Sequence, residues 1–301
     1  GDRVVGLCPN VPEAIIGLLS TASVGGIWSI CSPEYGLEGI LDRFSDLNPC
    51  LLIASTDHTY KGKTFNNLNK IRGLKKSIKS IKNCILISNN EMSIENKETL
   101  YKTIIQDKNV LNNNLHIDKF QKPGCILFSS GSTGKPKCIV HSLNSIIIQL
   151  LKEHKYHYGL QPDERFYYHT STSWNMWYWI VTALAAEAVV VLRDGSPFFP
   201  CSNELIKLIS IEKINVMGIS PKYIDYLSKL NINKDRSLNL DSLRLILSTG
   251  SILPASYYKK INNLIKEDIC ISSISGGTEI MCCFASGDQT SPVWAGEIQT
   301  L

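Results

Sequence analysis

No two of the ten cysteines in this 301-residue chain form a Cys-x-x-Cys pair, and no spacing reads as a zinc site or a disulfide framework. A reducing, cytoplasmic setting is the simpler expectation. Charge of one sign is also scarce. Lys plus Arg total 31 against 27 Asp plus Glu, a net charge of +4. An excess this small and scattered argues against nucleic acid as a partner and is compatible with an anionic small molecule. Long apolar runs are missing too. The longest, residues 177–192, is interrupted by Glu187 and closes on Arg193-Asp194, short of a membrane span. There is no Gly-x-Gly-x-x-Gly fingerprint, no Gly-x-Ser-x-Gly elbow and no His-Glu-x-x-His pair. No signal peptide or initiator Met is present, and both ends read as cut from a longer protein.

What the chain does have is alternation. Short apolar runs near residues 4–8, 51–54, 84–87, 125–128, 166–169, 189–192, 216–219, 243–247 and 269–274 read as strands. Segments 37–47, 143–156, 203–212, 222–230 and 254–266 read as helices between them. A helix also follows the first strand, with Asn10 as expected cap, Glu13 completing a capping box and Gly25-Gly26 as the stop. Such alternation predicts an α/β protein with mostly parallel sheets. Residues 57–122 are Lys- and Asn-rich with weak periodicity, and read as a surface excursion still holding the 84–87 strand. The expected division is therefore 1–122 as one α/β subdomain and 123–301 as a second that carries the binding site.

Polar loops after strands carry the chemistry. The strongest is Phe128-Ser129-Ser130-Gly131-Ser132-Thr133-Gly134-Lys135-Pro136-Lys137. Its Ser, Thr and Gly residues can wrap a phosphate with backbone N–H groups and hydroxyls, and Lys137 can add positive charge. It is not a Walker A loop. A second is Ser275-Gly276-Gly277-Thr278-Glu279, where the glycines permit close approach of a ligand, Thr278 can bond a phosphoryl oxygen and Glu279 can hold Mg²⁺. Ser248-Thr249-Gly250-Ser251 is a third. Binding loops are expected at such strand ends in an open α/β sheet. In the run from Tyr168 to Trp179, Trp177 and Trp179 read as core packing at helical spacing, while Trp174 reads as lining a small-ligand pocket. His154 and His157 lack a third metal ligand and read as a solvated or satisfied helix face.

The Ser/Gly/Thr/Lys loop followed by Gly-Gly-Thr-Glu resembles the acyl-adenylate-forming enzymes. Segments such as Leu41-Asp42-Arg43-Phe44-Ser45, Leu151-Lys152-Glu153-His154 and Asp194-Gly195-Ser196-Pro197 resemble the branch that activates acetoacetate. Asn175, Tyr178 and Pro221 depart from that branch's pattern, so acetate or propionate remains an alternative acid, and a non-catalytic nucleotide-binding fragment an alternative role. The resemblance implies the large N-terminal domain of such an enzyme, incomplete, with two stacked, mostly parallel sheets flanked by helices. It implies ATP, Mg²⁺ and coenzyme A as co-reactants and small molecules as substrates, with neither nucleic acid nor membrane as a partner and the oligomeric state left open. Ser130, Gly131, Ser132, Thr133, Gly134 and Lys137 would hold the β- and γ-phosphates. Gly250, Ser251, Ser273, Ser275, Gly276 and Gly277 would form the adenine shelf. Thr278 would contact the α-phosphate, Glu279 the metal, and His169 with Trp174 the acyl group; Thr278, Glu279 and Lys137 are the catalytic candidates. The family pattern also continues past residue 301, to an Asp on the ribose and a small domain carrying an adenylating lysine. Residues 1–301 by themselves are thus expected to bind Mg-ATP weakly and not to form a thioester at a useful rate.

Overall fold

In the computed structural model, residues 1–88, 90, 93–107, 121–129, 134–230 and 237–300 are described. The chain divides into two compact units, Gly1–Ser145 with Ser171–Ser173, and Ile146–Thr170 with Trp174–Leu301.

The first unit contains β1 (Arg3–Leu7), α1 (Pro12–Ser23), β2 (Ile27–Cys31), α2 (Leu37–Phe44), β3 (Leu51–Ser55), the hairpin β4 (Asp57–Tyr60) and β5 (Lys63–Asn66), α3 (Leu68–Ser77), β6 (Asn83–Ile87), β7 (Glu98–Leu100), α4 (Tyr101–Gln106), β8 (Pro123–Ser129) and β9 (Lys137–Ser142). Its seven-stranded sheet runs β7-β6-β3-β1-β2-β8-β9. Every pairing is parallel except β8 with β9, a hairpin that closes from Ser129 opposite Lys137. Parallel strands covered on both faces need apolar side chains at nearly every position, and four of the five residues of β1, β2 and β3 are buried. Ile40 and Phe44 of α2 and Ile71 and Leu74 of α3 close over Val5, Leu7, Leu52 and Leu86.

Three expectations are corrected here. The cap of α1 falls on Val11, with no side-chain bond, because Pro12 takes the first helical position, where its missing N–H costs nothing. Segment 57–122 is no mere excursion, since α3 buries Ile71 and Leu74 and β6 and β7 belong to the main sheet. Nor does the division fall at 122/123: β8 pairs with β2 and β9 with β8, which places both in the first unit.

Helix α5 (Leu143–Lys152) leads into a π-turn at Glu153–His157. The second unit then holds β10 (Arg165–Tyr168), α6 (Met176–Ala183), β11 (Val189–Val190), α7 (Glu204–Glu212), β12 (Val216–Ile219), α8 (Pro221–Lys229), β13 (Leu245–Ser248), α9 (Ala255–Leu264), β14 (Cys270–Ser273), β15 (Ser275–Gly277) and β16 (Cys282–Ala285). Five parallel strands run β11-β10-β12-β13-β14, and β15 with β16 forms a separate antiparallel pair. All of β12 and β13 is buried. Leu205 and Ile209 of α7, Tyr223 and Leu227 of α8 and Ile261 of α9 pack with Tyr167, Met217 and Ile246. Ser220 caps α8 by accepting the Tyr223 N–H at 3.3 Å, and Pro221 follows at the first helical position. That placement accounts for the proline noted as a departure. Among the described residues no helix is long and apolar enough to cross a membrane.

Candidate nucleotide and acid site

Two loops leave the second unit's sheet side by side. After β13 the chain turns at Gly250, whose φ of +95° is strained for any other residue. After β14 it enters the β15–β16 hairpin. Backbone and side chain lock the loops together: Ile274 N–H donates to Ser248 O and the Thr249 hydroxyl to Ile274 O, both at 2.8 Å. Between these loops, the start of α6 and residues Gly296 and Ile298 lies a cavity of about 420 Å³. Its walls mix glycine and serine backbone with Trp174, Met176, Trp179, Ile252 and Leu253.

Trp174 is positioned by a column that starts in the sheet. The Tyr168 ring lies directly on Gly218 of β12, where any Cβ would collide with it. Trp174 meets Tyr168 edge-on at 6.2 Å between ring centroids. The indole in turn lies against Gly250, 3.4 Å from where a Cβ would stand.

Beneath the hairpin a buried polar cluster holds β16. Glu153, fully buried on the π-turn, accepts the Cys283 N–H at 2.9 Å, the Cys283 thiol at 3.1 Å and the Gln149 amide at 3.2 Å. Burial and the adjacent Glu153 carboxylate push the Cys283 thiol far above its ordinary value, so it stays protonated as the donor. The Glu153 clamp was not legible in the sequence, because a π-turn leaves no apolar period of its own and π-bulges recur at functional sites. His154 is fully buried, bonded through Nε2 to Thr182 Oγ1 at 3.1 Å, and burial lowers its pKa to about 3. His157 Nδ1 lies 3.0 Å from Gly287 O. His157 is bonded within the fold; His154 is buried and not solvated, bonded at Nε2 while its Nδ1 has no hydrogen-bond partner. Among the described residues no group of three His, Cys, Asp or Glu could hold a metal, and all ten cysteines are free thiols.

Of the residues singled out in the sequence, Trp174, Gly250, Ser251, Ser273, Ser275, Gly276, Gly277 and Thr278 line this one cavity. Glu279 is exposed beside it, with Oε2 3.4 Å from a Cβ position on Gly277. An oxygen donor there suits Mg²⁺, which commonly takes one or two carboxylates plus substrate phosphates. His169 is not a lining residue. Side chains alternate along a strand, so His169 falls on the Tyr167 face, its Nδ1 3.3 Å from the Tyr167 hydroxyl, and Tyr168 takes the face toward Trp174. Burial, with Arg193 adding to it, lowers the His169 pKa to about 4. Ser130, Gly131, Ser132 and Thr133 lie outside the described residues. Gly134 and Lys137 belong to the first unit, with Lys137 exposed at the start of β9. The sequence reading missed Asn175, Met176, Ile252, Leu253, Cys282, Cys283 and Ile298 as lining residues. It also took Trp179 for core alone. Trp179 is 2% exposed and yet lines the cavity, one helical turn beyond Asn175.

Comparison with known proteins agrees with this architecture. Residues 1–298 match the model of a family described as AMP-binding enzyme, and the chain belongs to that family. It is 42% identical over 305 residues to the acetoacetyl-coenzyme A synthetase of Rhizobium meliloti (strain 1021) and 39% identical over 312 residues to the acetoacetyl-CoA synthetase of Gallus gallus. Each alignment covers 99% of this chain and 46% of the relative. The solved acetoacetyl-CoA synthetase from Streptomyces lividans superposes with a TM-score of 0.92 at 32% identity, again over 99% of this chain and 46% of that one. The chain thus spans about half the length of the curated relatives it matches.

Proposed function

We propose that this chain supplies the nucleotide- and acid-binding part of an enzyme that activates acetoacetate. In the first step a carboxylate oxygen attacks the α-phosphorus of ATP and the bond to pyrophosphate breaks. In the second the thiolate of coenzyme A attacks the acyl carbon and AMP leaves. The observation that carries this reading is the cavity at the ends of β13 and β14, where Gly250, Ser251, Ser273 and residues 275–278 converge. Its glycines let a purine lie flat on the backbone, and the Thr278 hydroxyl can bond the α-phosphate. Glu279 would hold Mg²⁺, which neutralises charge as two anions are brought together. Lys137 is assigned to the β- and γ-phosphates.

Acetoacetate-dependent exchange of labelled pyrophosphate into ATP, measured on the gene product that carries this chain, tests the reading. Exchange with acetoacetate well above that with acetate or propionate is expected. Equal exchange with all three would move the assignment to a general short-chain acid enzyme, and nucleotide binding without exchange to a non-catalytic role.

Two substitutions probe the assigned roles. Lys137→Ala should weaken Mg-ATP by about tenfold, the size of a lost hydrogen bond to a charged group, while melting changes by no more than an ordinary surface substitution. An unchanged ATP affinity in a calorimetric titration rejects that role. Trp174→Gly removes the ring between Tyr168 and Gly250, and longer acids should then gain in steps of about 1–3 kcal/mol per methylene at most. If butyrate and hexanoate support exchange no better than before, Trp174 does not bound the acid.

A further inference from the structure

The π-turn that follows α5 buries two consecutive side chains completely, Glu153 and His154. They reach two different walls of the cavity. His154 bonds Thr182 of α6, the helix whose first turn supplies Met176 and Trp179 to the lining. Glu153 holds Cys283 of β16, which lines the cavity with Cys282. None of the three donors to Glu153, the Cys283 N–H, the Cys283 thiol and the Gln149 amide, carries a positive charge. Burying a carboxylate on neutral donors costs stability that a well-packed apolar side chain would not, so packing alone does not call for one here. What the carboxylate adds is direction, because it fixes the β16 backbone at Cys283. Cys283 stands opposite Gly276 and Cys282 opposite Gly277. A Cβ on Gly276 would collide with the Cys282 carbonyl, so the two backbones touch there. The turn that presents Thr278 and Glu279 is closed by the Met281 N–H on Gly277 O at 2.9 Å, with Met281 buried at a left-handed φ of +49°. Both feet of that turn, Gly277 and Cys282, therefore follow β16.

Resting on the reading of this cavity as the nucleotide's, we propose that Glu153 is a positioning residue for adenylation. It touches no reactant. Through Cys283 and the Gly276-Gly277 edge it fixes where the Thr278 hydroxyl stands against the α-phosphorus. His154 holds α6 from the same turn, so one local distortion of the helix sets both the phosphate edge and the helix wall of the cavity. A displacement of about 1 Å at a reacting group is enough to cost roughly a hundredfold in rate. A purine lying on glycine backbone is held less directionally, so nucleotide affinity depends on Glu153 much less than the rate does.

The test compares Glu153→Met, which fills the space without an acceptor, with Glu153→Gln, whose Oε1 can still accept the Cys283 N–H. Both are made in the gene product that carries this chain. Each is measured by acetoacetate-dependent pyrophosphate exchange, by AMP titration and by melting. Glu153→Met should lower kcat for exchange by about a hundredfold while AMP affinity changes by no more than about threefold, and Glu153→Gln should restore kcat to within about threefold of the wild type. A merely structural role would lower the melting temperature and leave kcat per folded molecule unchanged. Where Glu153→Met does not fold, Glu153→Asp carries the test: it withdraws the same two oxygens by one methylene and should lower kcat by about tenfold or more. If the folded variant keeps the wild-type kcat, or if Glu153→Gln loses as much as Glu153→Met, the proposal is overturned while the nucleotide site stands. If the wild type binds AMP and exchanges pyrophosphate with no acid, the adenylation reading fails, and the proposal with it.

Discussion

Gly218→Ala should destabilise the second unit and weaken its ligand site in one stroke. Position 218 lies in the middle of β12, between β10 and β13, and the Tyr168 ring covers it completely. A methyl group there must displace Tyr168. The ring is fully buried, so overpacking of about 1–3 kcal/mol is expected. For a unit of this size that corresponds to roughly 2–12 °C in melting temperature. The same displacement pushes on Trp174, which meets Tyr168 edge-on, so nucleotide and acid affinities should fall together and the Trp174 fluorescence should shift. Tyr168→Phe is the matched control. The Tyr168 hydroxyl is buried without a hydrogen-bond partner, so its removal should be neutral or slightly stabilising. Calorimetric melting of the two variants decides the matter. A Gly218→Ala protein that melts with the wild type would mean that the Tyr168–Trp174 column is slack and does not position the cavity wall.

How much of this was legible beforehand depends on the range of the information. The strand at Val216–Ile219 was readable because four apolar residues stand between polar neighbours, and strands buried on both faces need little else. The run at 249–251 was readable as a loop from its Ser/Thr/Gly composition, whereas Ser275–Gly277 pairs with β16 as the short strand β15, which the same composition hid. β9 was missed. It is an edge strand with several exposed positions, which blur its period. Helix α3 hid because only Ile71 and Leu74 turn inward from a Lys-rich surface. The unit boundary could not be read at all, since it depends on β8 pairing with β2 across almost a hundred residues. Trp179 failed for a subtler reason. Burial and a place in the cavity wall are compatible, and helical spacing reports only the first.

Arg244→Met should cost the second unit about 2–3 kcal/mol at neutral pH. That is slightly less than the roughly 3–5 kcal/mol for breaking a fully buried pair, because the Arg244 side chain is 32% exposed. Its guanidinium grips Glu164 with both arms, Nε to Oε1 and Nη2 to Oε2 at 2.6 Å each. It also donates to Tyr158 O at 3.1 Å and to Gly159 O at 2.9 Å. One side chain immediately before β13 thus anchors the segment that links the π-turn to β10. Methionine keeps the aliphatic bulk but leaves the Glu164 carboxylate, 16% exposed, without its partner. Lysine should not rescue it, since a point charge cannot span both carboxylate oxygens and two carbonyls. The pH dependence gives the sharper check. Burial pushes the Glu164 carboxyl up, but the bonds from Arg244 and the Gln161 N–H outweigh it and hold the pKa below its ordinary 4.5. A carboxyl depressed in the folded state contributes stability that is complete above its unfolded pKa and is lost as pH falls through the folded one. The gap in stability between wild type and Arg244→Met should therefore be constant from pH 8 to about 5.5, and narrow as the medium is acidified below about 4.5. Denaturant melts at pH 7 and pH 3.5 measure it. A gap that is as wide at the acid end would show that Arg244 acts through its carbonyl contacts alone and that the ion pair contributes nothing.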